Sequence, residues 1–120
     1  MNPQHTVPTL NDGGFYLNES RGIATYLVSK YGKNDNLYPK DVAVRAIVDA
    51  RLYFDMGSFY KAFGDCVYPI MFGGPVPGAE KLEKFNEVMG WVNDFLKPTG
   101  YVAGTKHLTV ADIAFLATYR

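Results

Sequence analysis

The sequence Thr-Val-Pro-Thr-Leu-Asn-Asp-Gly-Gly-Phe-Tyr-Leu occupies residues 6–17 of the chain. Two short runs of β-favouring residues flank residues 11–14, where Asn, Asp and two Gly readily adopt positive φ angles. The pattern predicts a β-hairpin with strands at residues 6–10 and 15–17. Pro8 has no N–H for a strand ladder, so it either marks a sheet edge or follows a cis bond after Val7, and both possibilities stay open.

A helix is expected directly after this hairpin. Between Glu19 and Tyr31 the apolar side chains recur at helical spacing. Asn18 is the expected N-cap, because its side chain can accept from a free N–H of the first turn. Gly32 stands just past the expected end. The hairpin and this helix form the first structural unit of the chain.

A change of composition follows this unit. Residues 33–40 are polar, contain Pro39 and show no periodicity, which is typical of a linker. We therefore predict a first domain at residues 1–32, a linker at residues 33–40 and a second, helical domain at residues 41–120.

The second domain is predicted to open with a long helix. It runs from about Asp41 towards Cys66 or beyond, with apolar side chains on its other faces. Acidic and basic residues at i, i+4 spacing, among them Arg51 with Asp55, are assigned to its solvent-exposed face.

Two loops separate the later helices. Residues 73–78 read Gly-Gly-Pro-Val-Pro-Gly, and residues 98–107 form the second predicted loop. An amphipathic helix lies between them. Thr109 and Asp112 then have the spacing of a capping box at the start of the last helix. The element order predicts an α+β chain.

The composition restricts the function classes. The chain has 120 residues, 48% of them hydrophobic, with 12 basic and 12 acidic residues, so a disordered segment and a basic nucleic-acid or membrane surface are excluded. Cys66 is the single cysteine, which excludes an intrachain disulfide and suggests a reducing compartment. No signal peptide or membrane-spanning run is seen, and we expect a cytoplasmic protein.

Without further information, the candidate binding residues have ordinary structural explanations. His5 in a polar loop is more often a solvated histidine than a ligand. Glu19, Ser20 and Arg21 at a helix start are more often caps and dipole partners. Aromatic residues at helical spacing usually belong to a core.

Four motifs together suggest a family. They are Asn-Pro-Gln-His-Thr-Val-Pro-Thr-Leu at residues 2–10, Leu-Asn-Glu-Ser-Arg at residues 17–21, Leu-Tyr-Phe-Asp-Met-Gly at residues 52–57 and Leu-Thr-Val-Ala-Asp-Ile-Ala at residues 108–114. In this order and spacing, they resemble cytosolic glutathione S-transferases of the insect delta and epsilon classes. The Glu-Ser-Arg triplet makes the resemblance closer to the delta class.

The resemblance implies a fold and an activity. The expected fold is α+β, with part of a thioredoxin-like glutathione-binding domain followed by part of an all-helical domain. The expected activity joins the glutathione thiolate to small hydrophobic electrophiles, as in detoxification of xenobiotics, with glutathione as co-substrate and no metal. The complete protein is expected to be a homodimer.

The resemblance also assigns binding residues. It implies that Ser20 and Arg21 bind the γ-glutamyl carboxylate of glutathione and that Glu19 accepts from the γ-glutamyl ammonium. His5 would approach the glycyl carboxylate. Val7, before a cis Pro8, would pair its backbone with the cysteinyl residue of glutathione. These are all the glutathione-binding residues expected in the chain.

Two further sets of residues follow from the resemblance. An apolar wall for the electrophile is expected on the long helix, formed by Tyr60, Phe63, Tyr68, Met71 and Phe72. Two neighbouring side chains, Met56 and Phe59, are expected at the dimer interface.

The expected activity has a limit and rivals. Compared with the family, the chain lacks the leading β-α-β unit with the thiol-activating Ser or Tyr, and it stops within its last helix. We therefore expect no catalytic residue in this chain and no activity from it alone. The rival interpretations are a non-catalytic glutathione- or ligand-binding or protein-interaction member, or a truncated gene product. The chain also departs from the delta pattern, with Asn18 in place of Trp and Gly22 in place of Ala.

Overall fold

The computed structural model describes residues 2–120. Within this range the elements are two strands, five α-helices and one π-helical turn. They are β1 (Thr9–Asp12), β2 (Phe15–Asn18), α1 (Ser20–Tyr31), α2 (Val42–Phe54), the π turn (Asp55–Phe59), α3 (Tyr60–Met71), α4 (Ala79–Leu96) and α5 (Val110–Tyr119). The α+β prediction is confirmed. The domain boundary at residues 33–40 stays a prediction, although this segment contains neither helix nor strand.

The predicted hairpin is present with a shorter turn. β1 and β2 pair antiparallel, from Thr9 opposite Asn18 to Asp12 opposite Phe15. The two intervening glycines have φ angles of 61° and 94°, which other residues seldom adopt. Residues 11 and 12, predicted as turn, therefore belong to β1, and residues 6–8, predicted as strand, precede it. The Val7–Pro8 peptide bond is cis.

The Asp12 carboxylate joins the hairpin to α1. It accepts hydrogen bonds from the ammonium of Lys30 at 2.7 Å and from the hydroxyls of Tyr26 and Tyr31, each at 2.8 Å. These bonds, that of Lys30 first, lower the pKa of Asp12 to about 2. Three donors on one carboxylate hold the C-terminal half of α1 against β1.

The ends of α1 differ in part from the prediction. Its N-cap is Glu19, with φ of 70°. Asn18 is the last residue of β2, and its amide donates to the Gln4 side chain at 2.8 Å, so the expected Asn18 cap is wrong. Gly32 does follow the helix, but at φ of −64°, and its role is steric. A Cβ at this position would lie 2.3 Å from the Val28 carbonyl oxygen.

The predicted long helix is interrupted by a π turn. α2 begins after Asp41, whose carboxylate accepts from the Val44 N–H at 2.9 Å. After Phe54 the backbone widens, and the Tyr60 N–H donates to the Asp55 carbonyl five residues earlier. α3 then continues through Cys66 to Met71. π turns are uncommon and often occur at functional sites.

The capping box of α5 is confirmed and does more than cap the helix. Asp112 Oδ2 accepts from the Thr109 N–H at 2.8 Å and from the Thr109 hydroxyl at 3.0 Å. Oδ1 of the same carboxylate accepts from the Val102 N–H at 2.8 Å. One side chain therefore fixes both the start of α5 and the loop before it.

One apolar core connects the helices. Its buried members come from α2, the π turn, α3, α4, α5 and the loop before α5: Val48, Leu52, Phe59, Ala62, Val88, Val92, Val102, Ala103, Val110, Ala111 and Phe115. Ala24 and Val28 of α1 pack against this cluster, so α1 is docked on the helical part. No helix among residues 2–120 has the length and apolar character required to span a bilayer.

We predict that Asp112→Ala lowers the free energy of unfolding by about 2 kcal/mol, since it removes a cap and leaves the Val102 N–H without its acceptor. The measurement is a urea titration followed by circular dichroism. Asp65→Ala is the matched control, because the side chain of Asp65 makes a single ion pair within residues 2–120, an exposed i, i+4 pair with Lys61. Equal midpoints for the two variants would contradict the prediction.

Two glycine substitutions in and after α1 should have opposite effects. A Cβ at Gly22 meets no atom within 4 Å, so Gly22→Ala is expected to stabilise the chain by up to about 1 kcal/mol through helix propensity. Gly32→Ala should destabilise it, because its Cβ collides with the Val28 carbonyl oxygen. Thermal unfolding of both variants measures the difference, and destabilisation by Gly22→Ala would show that this space is not available.

Candidate functional site

The functional site begins where β2 passes into α1. Glu19, Ser20 and Arg21 stand at the N-terminus of α1, where backbone N–H groups have no partner within the helix and the helix dipole favours negative charge. Glu19 is exposed, whereas Ser20 and Arg21 are partly covered. This end of the helix is thus suited to an anionic group.

The Arg21 guanidinium is fixed by a buried carboxylate. Its Nε and Nη2 donate to Asp55 Oδ2 at 2.9 and 2.6 Å, and its Nη1 donates to the Ser20 hydroxyl at 3.1 Å. Asp55 is fully buried, and its Oδ1 accepts from the Thr118 hydroxyl at 2.7 Å. α1, the π turn and α5 are therefore connected through one hydrogen-bonded network.

The π turn also brings Tyr60 to this network. Residues five apart in an α-helix point roughly 140° away from each other, at 100° per residue. In a π turn the hydrogen bonds connect residues five apart, so Asp55 and Tyr60 lie on the same side. The Tyr60 ring centroid is 5.5 Å from Arg21 Cζ, which is within the range of a cation–π contact.

These residues surround an open cavity of about 270 Å³. α1, α3 and α5 supply its lining, which is mostly polar on the α1 side and, except for Thr118, apolar on the α5 side: Ser20, Arg21, Ala24, Tyr60, Val110, Ile113, Ala114, Ala117 and Thr118. Three of the predicted site residues, Ser20, Arg21 and Tyr60, are thus brought together.

Apart from Glu19, the N-cap of α1, the other predicted glutathione-binding residues lie in the segment before β1. His5, Val7 and Pro8 are exposed, and His5 has a positive φ of 54°. The hydrogen bond from Asn18 to Gln4 places the turn that carries His5 beside the start of α1. The segment before β1 and the N-terminus of α1 therefore lie at the same end of the hairpin.

The aromatic residues of α3 and its C-cap Phe72 divide into two groups. The Tyr68 hydroxyl donates to the Tyr60 hydroxyl at 2.8 Å, which raises the pKa of Tyr68, and the Phe72 ring lies 6.4 Å from that of Tyr68. Phe63 instead packs between Phe85 and Tyr119, both at 6.3 Å. Tyr60, Tyr68 and Phe72 form one continuous strip, and Met71, also exposed, lies next to it in sequence. Phe63 lies apart from this strip.

The two residues expected at a subunit interface differ sharply in exposure. Met56 is 48% exposed, so its side chain is available to a partner. Phe59 is 2% exposed and packs on Phe115 in the core, with ring centroids 5.4 Å apart. The chain itself therefore leaves Phe59 little surface for a contact with another subunit.

Sequence reasoning missed Asp55 and Thr118. Asp55 was expected on the exposed face with Arg51, and this expectation is wrong: Asp55 is buried against Arg21, and Arg51 Nε donates to the Val102 carbonyl at 2.8 Å. A signal was present, because Asp55 follows Leu52 by three residues in the spacing of the apolar stripe. No signal in the sequence identified Thr118.

No cluster of His, Cys, Asp or Glu suited to a metal ion occurs between residues 2 and 120.

Comparison with known proteins gives consistent relatives. A family model for the N-terminal domain of glutathione S-transferases matches residues 1–35. A delta-class glutathione transferase from Nilaparvata lugens is 52% identical with a TM-score of 0.90, and the match covers 98% of this chain and 55% of that one. Glutathione S-transferase 1-6 from Anopheles dirus species B is 44% identical with a TM-score of 0.90, covering 98% and 56%. An epsilon-class enzyme from the housefly, Musca domestica, is 41% identical with a TM-score of 0.87, covering 98% and 55%.

The resemblance to insect delta and epsilon glutathione S-transferases is thereby confirmed. The expected combination of a partial thioredoxin-like unit and a helical part is confirmed with it. Identity is higher to the delta-class structure than to the epsilon-class structure, in agreement with the Glu-Ser-Arg triplet. The chain spans about half the length of these solved relatives.

We predict that Arg21→Ala destabilises the fold by about 3 kcal/mol, because it leaves the buried Asp55 charge without its partner. Replacing both residues, as in Arg21→Met with Asp55→Leu, should recover much of this loss, since no unpaired charge remains. Urea unfolding measures both variants. Lys84→Ala, which removes an exposed i, i+3 pair with Glu87, is the control, and an equal effect of Arg21→Ala would contradict the prediction.

Proposed function

We propose that this chain provides the glutathione carboxylate site of a cytoplasmic glutathione S-transferase, which conjugates the glutathione thiolate to small hydrophobic electrophiles. The premise is its similarity over 98% of its length to insect glutathione transferases. The physiological role proposed is detoxification of xenobiotics.

One observation carries this proposal: the Arg21 guanidinium is held at the N-terminus of α1 by a fully buried carboxylate. Asp55 and Thr118 fix the inner edge of the guanidinium, so Arg21 cannot turn away. Nη1 donates one hydrogen to Ser20. Its second hydrogen, the Ser20 hydroxyl and the free N–H groups of the helix start can all donate to one carboxylate.

Glutathione offers groups that match this site. Its γ-glutamyl end carries a carboxylate and an ammonium, for which Arg21 with Ser20 and exposed Glu19 are the proposed partners. The glycyl carboxylate would meet His5. Val7 as a whole residue is 94% exposed, and its backbone is proposed to pair with the cysteinyl residue as an added strand does.

The electrophile is proposed to bind along the aromatic strip of Tyr60, Tyr68 and Phe72, with Met71 beside it. Phe63 stays a predicted member of this site, although its ring packs on α4 and α5 and not on the strip. Tyr60 lines the same cavity as Arg21, so this strip starts where the glutathione site ends.

We assign the thiol-activating hydroxyl to no residue of this chain. Binding by the 120-residue chain is therefore expected without turnover, and turnover is proposed for the complete protein, as a homodimer that uses the exposed Met56.

The first test is binding of the chain to immobilised glutathione, with elution by free glutathione. We expect specific retention, loss of retention in Ser20→Ala and Arg21→Ala, and normal retention of Lys61→Ala, which alters an exposed pair only. Ser20→Ala is included because it leaves the Arg21–Asp55 pair intact. Circular dichroism confirms that each variant is folded.

A second measurement separates recognition of the γ-glutamyl carboxylate from general binding. A tripeptide in which γ-aminobutyrate replaces γ-glutamate keeps the ammonium but lacks that carboxylate, and it should elute the chain at least tenfold less efficiently than glutathione. Equal elution by the two tripeptides, or absence of retention in a folded wild-type chain, would refute the proposed site.

A further inference from the structure

The segment between α1 and α2 has no regular structure, yet it is held firmly at Tyr38. The Tyr38 hydroxyl donates to Asp49 Oδ1 on α2 at 2.5 Å. Burial and this hydrogen bond raise the pKa of Tyr38 to about 12, so the hydroxyl keeps its proton and donates throughout the physiological range.

Arg45 also binds Tyr38, through both the backbone and the ring. Its Nε donates to the Pro39 carbonyl at 2.6 Å and its Nη2 to the Tyr38 carbonyl at 3.0 Å, while its Cζ lies 4.2 Å from the Tyr38 ring centroid. The preceding carbonyl, that of Leu37, accepts from the Val110 N–H at 2.8 Å. Three consecutive residues are therefore bound to α2 and to the start of α5. We name residues 37–39 with Arg45 and Asp49 the Tyr38 clamp.

The Tyr38 clamp lies next to Arg21. Tyr38 and Asp49 line a small cavity of about 160 Å³ together with Arg21, Gly22 and Thr25 of α1 and Leu52 and Tyr53 of α2. α1 is thus positioned between two fixed points: the Arg21–Asp55 contact at its N-terminal end, and the chain leaving its C-terminal end towards Tyr38.

From this geometry we infer that Tyr38 is a positioning residue, which holds α1 on the helical part so that Arg21 meets Asp55 and presents Nη1 to the glutathione carboxylate. The part of this inference that concerns the glutathione carboxylate rests on the proposed function. The part that concerns the position of Arg21 against Asp55 does not. Two donors converge on one oxygen of Asp55, and such an arrangement tolerates little displacement of α1. Loss of the clamp should therefore loosen Arg21, although the Tyr38 hydroxyl donates to Asp49 and not to Asp55.

The first part of the test uses the full chain and four variants. Tyr38→Phe removes the hydroxyl and keeps the ring beneath Arg45. Tyr53→Phe is the matched control, because Tyr53 lines the same cavity and forms no hydrogen bond in residues 2–120. Asp49→Ala removes the acceptor, and Asp49→Asn keeps an oxygen that can accept from Tyr38.

The first readout requires no glutathione. In nuclear magnetic resonance spectra, the Arg21 Nε–H signal should exchange slowly with solvent in the wild-type chain, in Tyr53→Phe and in Asp49→Asn. Its exchange should accelerate at least tenfold in Tyr38→Phe and Asp49→Ala. Unchanged exchange in Tyr38→Phe would overturn the inference, whether or not glutathione binds.

The second readout is glutathione affinity, with a stability control. Val88→Ala creates a cavity at a fully buried core position on α4, a helix that carries no residue of the clamp, so it lowers stability without altering the clamp residues. We expect Tyr38→Phe to weaken glutathione binding about tenfold, and Val88→Ala to bind normally while folded. Equal weakening of glutathione binding in both variants would show that Tyr38 acts only through general stability, which would overturn the inference. Absence of glutathione binding in the wild-type chain would refute the proposed function. The exchange of the Arg21 Nε–H would then still test whether the Tyr38 clamp positions Arg21.

Discussion

The buried carboxylate of Asp55 determines how the elements at the centre of this molecule are placed. Asp55 has no access to water, and an uncompensated charge in such a place would cost several kcal/mol. Its two oxygens are satisfied by Arg21 from α1 and by Thr118 from α5. The positions of three elements are therefore not independent, because each must bring its polar group to within hydrogen-bond distance of the same side chain. Helix packing alone would allow sliding of these elements, and this network does not.

The same network explains why the backbone departs from α-helical geometry at Asp55. The apolar stripe of α2 must face the core, and Asp55 must reach Arg21, while Tyr60 must lie against the same guanidinium. A regular helix would direct Asp55 and Tyr60 to different sides. The π turn reconciles these demands over five residues, and it joins the charged part of the site to the aromatic strip that continues to Phe72.

The chemical character of the site follows from this arrangement. An arginine that is neutralised by a buried aspartate keeps donors for an outside anion but loses freedom to move, so the geometry of recognition is prepared before a ligand arrives. The segment around Tyr38 and the Asp112 carboxylate also restrict movement, at positions outside the ligand site. Each converts an irregular stretch of chain into a fixed connection by satisfying backbone groups, at Tyr38 and Pro39 in one case and at Val102 and Thr109 in the other.

The amino-acid sequence was sufficient to predict the features whose causes lie within a few residues. These are the hairpin at Gly13 and Gly14, the capping box of Thr109 with Asp112, the loops, and the motifs that indicate the family. The sequence also supplied Ser20 and Arg21, because a helix start is a local feature. Three features follow from tertiary packing instead: Asp55 faces Arg21 rather than Arg51, Phe59 is buried, and Tyr38 anchors a segment whose sequence is that of a plain linker. Asp55 is 34 residues from Arg21 and 63 residues from Thr118 along the chain, and its i, i+4 spacing from Arg51 favoured the wrong partner. Local spacing reports which residues can meet on one helix, whereas the burial that makes a charge seek a particular partner exists only when distant elements have packed together.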